Sequence, residues 1–287
     1  MVFTAKREIL PVEPRVSVMQ QLAQDYKVNG FCVAKGLLST DITTKALDDV
    51  HKLVCRQLGR FQAPDSFGEG LYIDMQRLLA ESTDAYLCAA RLGAKLASVN
   101  ACLTHENVLA AVQLLGVEIP TISSEPVFHI SSDKLQIPGG YFGFDAHQDW
   151  PSIQGSLDCV VAWLPLVEVT LDNYPLQVLP ESHRLGLLQG EVTKNLLAVD
   201  KTLYDESKFT SVVASPGDVV FMSSWTLHRT GVENCSGFRF SISNRWENAA
   251  EKYFIERGYP CAYKKSVMRD LITPDFPSKK LVNSVFD

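Results

Sequence analysis

The sequence predicts a mainly β fold with flanking helices: a double-stranded β-helix, the cupin-like jelly-roll of two sheets with helices packed on one of them. Three observations predict it. The first half carries apolar residues at helical spacing, and from about Ile119 onward short strand-like runs alternate with turn residues. Two histidine motifs, His147-Gln148-Asp149 and His228, lie far apart, with room between them for several strands to fold the chain back and bring them together.

Helices are expected from Val16 to Val28, from Ser39 to Arg60, from Asp84 to Val99 and from Asn107 to Leu115. Ser39, Thr40 and Asp41 supply the oxygen-bearing side chains that favour a helix start. In the second half, Pro138-Gly139-Gly140, Ser182-His183, Ser215-Pro216-Gly217-Asp218 and the run from Glu233 to Gly237 mark turns. The next run, Phe238 to Arg245, alternates as a strand does: Arg239, Ser241, Ser243 and Arg245 share one face, and Phe238, Phe240, Ile242 and Asn244 take the other. The chain is expected to form one domain over residues 1–287, with a helical part to about 118, a jelly-roll core over about 119–250 and a tail or lid over about 251–287.

Composition narrows the class of partner. A net charge of −6 with no large Lys/Arg cluster argues against nucleic acid, whose phosphates select clustered cations. Seven cysteines, scattered and without a CxxC pair, fit reduced thiols that pack as small apolar groups. With no apolar stretch of signal-peptide or membrane-span length, a cytoplasmic protein that does not engage membranes is expected. Oligomeric state is not encoded in any pattern visible here.

The histidine motifs carry the chemistry. Two imidazoles and one carboxylate on one face of a metal are the donor set of non-heme Fe(II) oxygenases, which keep coordination positions open for co-substrate and oxygen. Residues two apart in an extended strand point to the same side, so His147 and Asp149 are expected to reach one ion while Gln148 turns away. Arg239 follows His228 by eleven residues on the polar face of its strand. Its planar guanidinium suits the far carboxylate of a 2-oxo acid.

Further segments carry a family resemblance. The run from Asp25 to Leu38, the block from His147-Gln148-Asp149-Trp150 through Val160-Val161-Ala162-Trp163, the segment from Asp172 to His183, and Pro216-Gly217-Asp218-Val219-Val220-Phe221 before His228 together resemble the phytanoyl-CoA dioxygenase family of Fe(II)/2-oxoglutarate-dependent oxygenases. The resemblance implies that Fe(II), 2-oxoglutarate and O2 are used. It makes His147, Asp149 and His228 the iron ligands, Arg239 the main 2-oxoglutarate anchor, Thr230 its assistant and Trp163 a wall of the same pocket. The family often places another 2-oxoglutarate contact on the strand before the first motif, around Phe128 to Gln136, without a residue-by-residue match here. The chain departs from the family pattern at Tyr174 and Glu181, where glycine is common, and both departures are expected to bear on loop shape more than on chemistry.

The activity implied is hydroxylation of a C–H bond in a small metabolite, with release of succinate and CO2, and Ser152, Gln154, Ser156 and Arg245 favour a polar or anionic one. Trp150, Gln154 and Arg245 are the expected substrate contacts, and no basic cluster suits the phosphates of a CoA thioester. Retention of Asp149 favours hydroxylation over halogenation, since related halogenases lack the carboxylate. Desaturation, epoxidation and ring closure follow from the same oxidising chemistry. A Zn(II) hydrolase and a non-catalytic jelly-roll binding protein are rivals from other classes. His51, His105, His129 and His183 lack a ligand-spaced partner and are read as ordinary surface, core or loop residues.

Overall fold

A computed structural model describes residues 12–61, 68–123, 125–137, 143–193 and 196–259. The expected Pro138-Gly139-Gly140 turn and the part of the tail beyond residue 259, with Cys261, lie outside the described residues. The helical half begins with α1 (Val12–Asn29), which leads through Gly30 into β1 (Phe31–Ala34), and continues with α2 (Thr40–Gln57), α3 (Glu69–Glu81), α4 (Thr83–Gly93), α5 (Ala97–Leu103) and α6 (Glu106–Leu114). The Ser39 side chain accepts a hydrogen bond from Asp41 N and starts α2, as its sequence predicts. Ala46, Leu47, Val50 and Val54 of that helix are buried at helical spacing.

Two helical features depart from the sequence expectation. The run expected as one helix from Asp84 to Val99 is two, α4 and α5, broken over residues 94–96. Helix α3 is an addition. Its apolar positions Leu71, Met75 and Leu78 have helical spacing, but its N-cap is Gly68, so the usual oxygen-bearing start signal is missing. Asp74 of α3 joins the helices: its carboxylate meets His51 at 2.8 Å and pairs with Arg60 and Arg77.

The strands follow as β2 (Pro120–Ile122), β3 (Val127–Ser131), then the one-turn helix α7 (Trp150–Ile153), β4 (Val160–Pro165), β5 (Leu176–Val178), β6 (Gly190–Val192), β7 (Leu197–Val199), β8 (Thr210–Val212), β9 (Val219–Ser223), β10 (His228–Thr230) and β11 (Arg239–Asn248), before α8 (Lys252–Glu256). The large sheet runs β1-β9-β4-β11-β2, with β3 also on β11, and every pairing is antiparallel. A smaller antiparallel sheet runs β10-β5-β8, and β6 and β7 form a hairpin.

Alternation decides what each face of the large sheet meets. Val160, Ala162, Leu164, Val219, Phe221, Phe240, Ile242 and Trp246 pack with the helices in the main core. From the opposite face Val161, Trp163, Val220 and Met222 pack with Leu176, Val178 and Val212 of the small sheet. Each fully buried Val, Leu, Ile, Phe or Met among them contributes about 1.5–3 kcal/mol, so the helical layer is an integral part of the core.

One corner fixes the two halves to each other. Asp218 accepts hydrogen bonds from Ser215 N and Gly36 N and an ion pair from Lys35, tying the turn before β9 to the end of β1. Gly217 there has φ +99°, and a Cβ would sit 2.7 Å from Leu38 O, so glycine is required on both counts. His183 has a structural place of its own, with its ring packed where a Cβ on Gly30 would be. No described helix is long and apolar enough to cross a membrane, and the cysteines among the described residues are free thiols.

Candidate metal centre

His147, Asp149 and His228 converge. Their ligand-capable atoms all lie within 4.8 Å of one another, and all three side chains are buried. The backbone explains the convergence. His147 N donates to His228 O and His228 N to His147 O, both at 3.0 Å, an isolated antiparallel bridge that joins the small sheet to the segment before α7. Contrary to the expected extended strand, Asp149 is in the right-handed helical region at φ −76° and ψ −30°, and it begins α7. Its amide and that of Trp150 both donate to Ser224 O, and this bend, not a strand pleat, brings the carboxylate round.

The imidazoles are preset. His147 Nδ1–H donates to Asp145 O at 2.7 Å and His228 Nδ1–H to Thr226 O at 2.9 Å, which leaves each Nε2 with its lone pair for the shared site. Burial, reinforced by His228, lowers the His147 pKa to about 3, so that imidazole is neutral as a metal ligand requires. Burial opposes the charge on Asp149, but the Arg245 guanidinium, which also hydrogen-bonds the carboxylate, outweighs it and holds the carboxyl well below its ordinary range. Gln148 does turn away. Its amide donates to Gly186 O and Trp225 O and accepts from Leu188 N, clamping the segment between the two ligands.

A second cluster, His51, Cys55 and Asp74, also brings three metal-capable side chains together. There the carboxylate is already paired with Arg60 and Arg77, whose charge occupies the place of a cation. It is a helix-joining network.

Arg239 is 2% exposed, with its guanidinium bonded to Ser131 Oγ at 2.9 Å and to Tyr174 O, and 5.5 Å from the centre of the Trp163 ring. Tyr174 has φ +65°, a left-handed conformation that explains why the family pattern carries glycine at this position; Glu181, the other departure, has the same φ. At Tyr174 loop shape and chemistry meet, because that backbone turn delivers its carbonyl to Arg239. Asn173 braces it by donating to Glu168 O and Phe238 O and accepting from Thr170 N.

A cavity of about 270 Å³ opens over these groups and is lined by His147, Asp149, His228, Arg239, Thr230 and Trp163, together with Arg245. Thr230 Oγ1 accepts from Phe144 N at 3.2 Å. Arg245 reaches both oxygens of Asp149, at 3.2 and 3.3 Å, and donates through Nη1 to Ser243 Oγ. Two expected substrate contacts do not line this cavity. Trp150 stacks on Trp225 with ring centres 4.7 Å apart, and Gln154 is exposed at the left-handed end of α7, its amide bonded to Pro151 O.

Phe144 and Arg229, not singled out from sequence, also line this cavity, as does His129, which reads in sequence as an ordinary surface, core or loop histidine. His129 sits on β3 with Val127 and Ser131, and its Nε2 is 2.8 Å from Ser243 Oγ. Burial, Arg245 and Arg239 all push its pKa well below the ordinary histidine value. The signal that marks it is a polar residue alternating with apolar ones in a strand that pairs with β11. Beyond Phe144, Arg229 and Thr230, which belong to both, a second cavity of about 720 Å³ extends under the β6–β7 hairpin.

Comparison with known proteins gives the family and the fold. The family model described as phytanoyl-CoA dioxygenase matches residues 26–241. No curated protein sequence matches the chain. Among solved structures it is similar to the epimerase SnoN in complex with Fe3+, alpha ketoglutarate and nogalamycin RO, at 17% identity and a TM-score of 0.55 over 82% of this chain and 85% of that one. It is also similar to the apo non-heme monooxygenase ThoJ, at 18% identity and a TM-score of 0.55 over 79% and 77% of the two chains. AviO1 from Streptomyces viridochromogenes Tue57 gives 15% identity and a TM-score of 0.52 over 81% and 96%. At these identities the likeness is one of fold, a mixed arrangement of helices and antiparallel sheet.

Proposed function

The chain belongs to the phytanoyl-CoA dioxygenase family, which uses Fe(II), 2-oxoglutarate and O2, and from that premise we propose that it hydroxylates a C–H bond of a small polar metabolite with release of succinate and CO2. The observation that carries the reading is the meeting of His147, Asp149 and His228 within 4.8 Å, with the Nδ1–H of each imidazole spent on a backbone carbonyl. The donor set, two imidazole nitrogens and one carboxylate oxygen, fits Fe(II).

In this reading the three side chains hold the ion, and the two sheets with their helical cover form a single double-stranded β-helix domain around it. The ferrous ion and 2-oxoglutarate, when bound, supply the oxidising power through decarboxylation of the co-substrate. Arg239 binds the far carboxylate of 2-oxoglutarate by two-pronged hydrogen bonding, Thr230 supports it and Trp163 closes the wall. Arg245 neutralises and orients the Asp149 carboxylate from behind. Burial of the whole set excludes water, which strengthens each of these interactions.

The larger cavity, which shares Phe144, Arg229 and Thr230 with the smaller one, is the proposed berth for the body of the substrate, and its reacting end lies in the smaller cavity beside the triad. Asp145, Glu191, Asp200, Glu206 and Glu233 line the larger cavity against Lys201 and Arg229, a balance that suits a neutral polar or cationic group and disfavours the phosphates of a CoA thioester.

Anaerobic addition of Fe(II) and 2-oxoglutarate is expected to give a weak visible charge-transfer band, abolished in His228→Ala, and admission of oxygen is expected to release succinate. A metabolite screen for stimulated succinate release then names the substrate, and product analysis separates oxygen insertion from desaturation, epoxidation or ring closure. Absence of both band and succinate would return the chain to the hydrolase and binding-protein readings.

A further inference from the structure

Counting donors and acceptors on the cavity wall leads to a residue outside the ligand set. Ser243 Oγ is 3.0 Å from Arg245 Nη1 and 2.8 Å from His129 Nε2. A guanidinium can only donate, so Arg245 takes a lone pair of the hydroxyl, whose single proton must go elsewhere. Within reach among the described residues, His129 Nε2 is the acceptor. If His129 instead donated from Nε2, both N–H groups would point at one oxygen and the hydroxyl proton would lack a protein acceptor, a costly state in a residue only 1% exposed. The chain of bonds therefore runs from Arg245 to Ser243 to His129, and it starts at a guanidinium anchored on the Asp149 carboxylate.

We propose that Arg245 and Ser243 lock His129 in the Nδ1–H tautomer, and that this N–H is the cavity's specificity-determining donor for an oxygen of the substrate. His129 lines the cavity, and with Nε2 engaged on Ser243 its Nδ1 is the nitrogen left for a ligand. The ring is steadied by an edge contact with Phe144, centres 5.9 Å apart. It stays neutral because burial and the flanking guanidinium charges of Arg245 and Arg239 oppose a second proton. A neutral N–H selects a carbonyl, carboxylate or ether oxygen and rejects an ammonium group, which offers donors only. The identity of the cavity rests on the function proposed above, whereas the tautomer does not.

The experiment is 15N-histidine NMR on the metal-free and the Zn(II)-loaded protein. The His129 signals are identified by their loss in His129→Asn or, should that variant not fold, by their change in Ser243→Ala. The expected pattern at neutral pH is a protonated Nδ1 and a bare Nε2, with population moving towards Nε2–H in Ser243→Ala. Titration with dimethylformamide, an acceptor without N–H donors, is expected to shift the Nδ1 signal, whereas methylammonium at the same concentration leaves it in place. A protonated Nε2 in the unaltered protein overturns the proposal, as does a response to methylammonium or to neither probe. Movement of the signal on adding 2-oxoglutarate alone would give the N–H to the co-substrate and overturn the substrate role. Because the tautomer is read without metal or turnover, its failure is distinct from failure of the charge-transfer test.

Discussion

Arg239 is in place before any co-substrate arrives, held by Ser131 Oγ and by a carbonyl that the left-handed Tyr174 turns inward. Removing one partner of a buried, hydrogen-bonded charge pair costs about 2–5 kcal/mol. Arg239→Ala is therefore expected to weaken 2-oxoglutarate binding by that amount, read as the concentration dependence of the anaerobic charge-transfer band, with the band restored at saturation. Arg239→Lys is expected to recover only part of the loss, because an ammonium cannot match a carboxylate with two parallel bonds. An unchanged affinity in Arg239→Ala would move the anchor elsewhere. The triad and Arg239 were legible in the sequence because their chemistry restricts residue type and order along the chain. His129 and Ser243 were not, since each gains meaning only from a partner on another strand or another residue's bond.

The strand β11 gathers most of the cavity's polar wall, and its inward row continues past Arg245 to Glu247, which is 3% exposed. Burial raises the Glu247 pKa to about 7, with Arg257 opposing the rise. Unfolded, a glutamate ionises near pH 4.3, roughly, so between the two values the folded chain retains a proton that the unfolded chain has released. The favourable contribution of the neutral form is complete below the unfolded value and is lost as pH climbs towards about 7. Glu247→Gln, which cannot ionise, is expected to gain in melting temperature over the unaltered protein from about pH 5 to pH 7, with the gap constant above that. A gap independent of pH would show that the carboxyl is ionised throughout. The alternation of β11 was legible from its own residues, whereas α3 was not, because it opens on Gly68 without a capping side chain. The bend at Asp149 was hidden too, since it depends on Ser224 accepting two amides from a distant segment.

At the scale of the molecule, the proposed ligands come from two segments of the chain, joined by the His147–His228 bridge and by the bonds of Asp149, Trp150 and Gln148 to the turn before β10. A metal there fastens the small sheet to the segment leading into α7. Binding to the folded state alone stabilises by about 2.7 kcal/mol at a hundredfold excess over Kd, which for a chain of this size is a rise of several degrees. Anaerobic Fe(II) is thus expected to raise the melting temperature, a chelator to reverse the rise, and His228→Ala to abolish it; an equal rise in the variant would place the ion elsewhere. The division into a helical half and a strand-rich half was readable from periodicity, which is a local property. The two cavities were not, because a void is set by how the β6–β7 hairpin and the sheets pack, and no window of sequence records that.

The alternation along β11 also makes assembly its own inspector. Were the strand to slide by one residue against β4, Arg239, Ser241, Ser243 and Arg245 would swing beneath the helices, and Phe240 and Ile242 would take their places beside the histidines. Guanidinium groups stranded among aliphatic side chains would not be tolerated. A wrongly paired molecule would come apart, leaving no folded but inert fraction to accumulate.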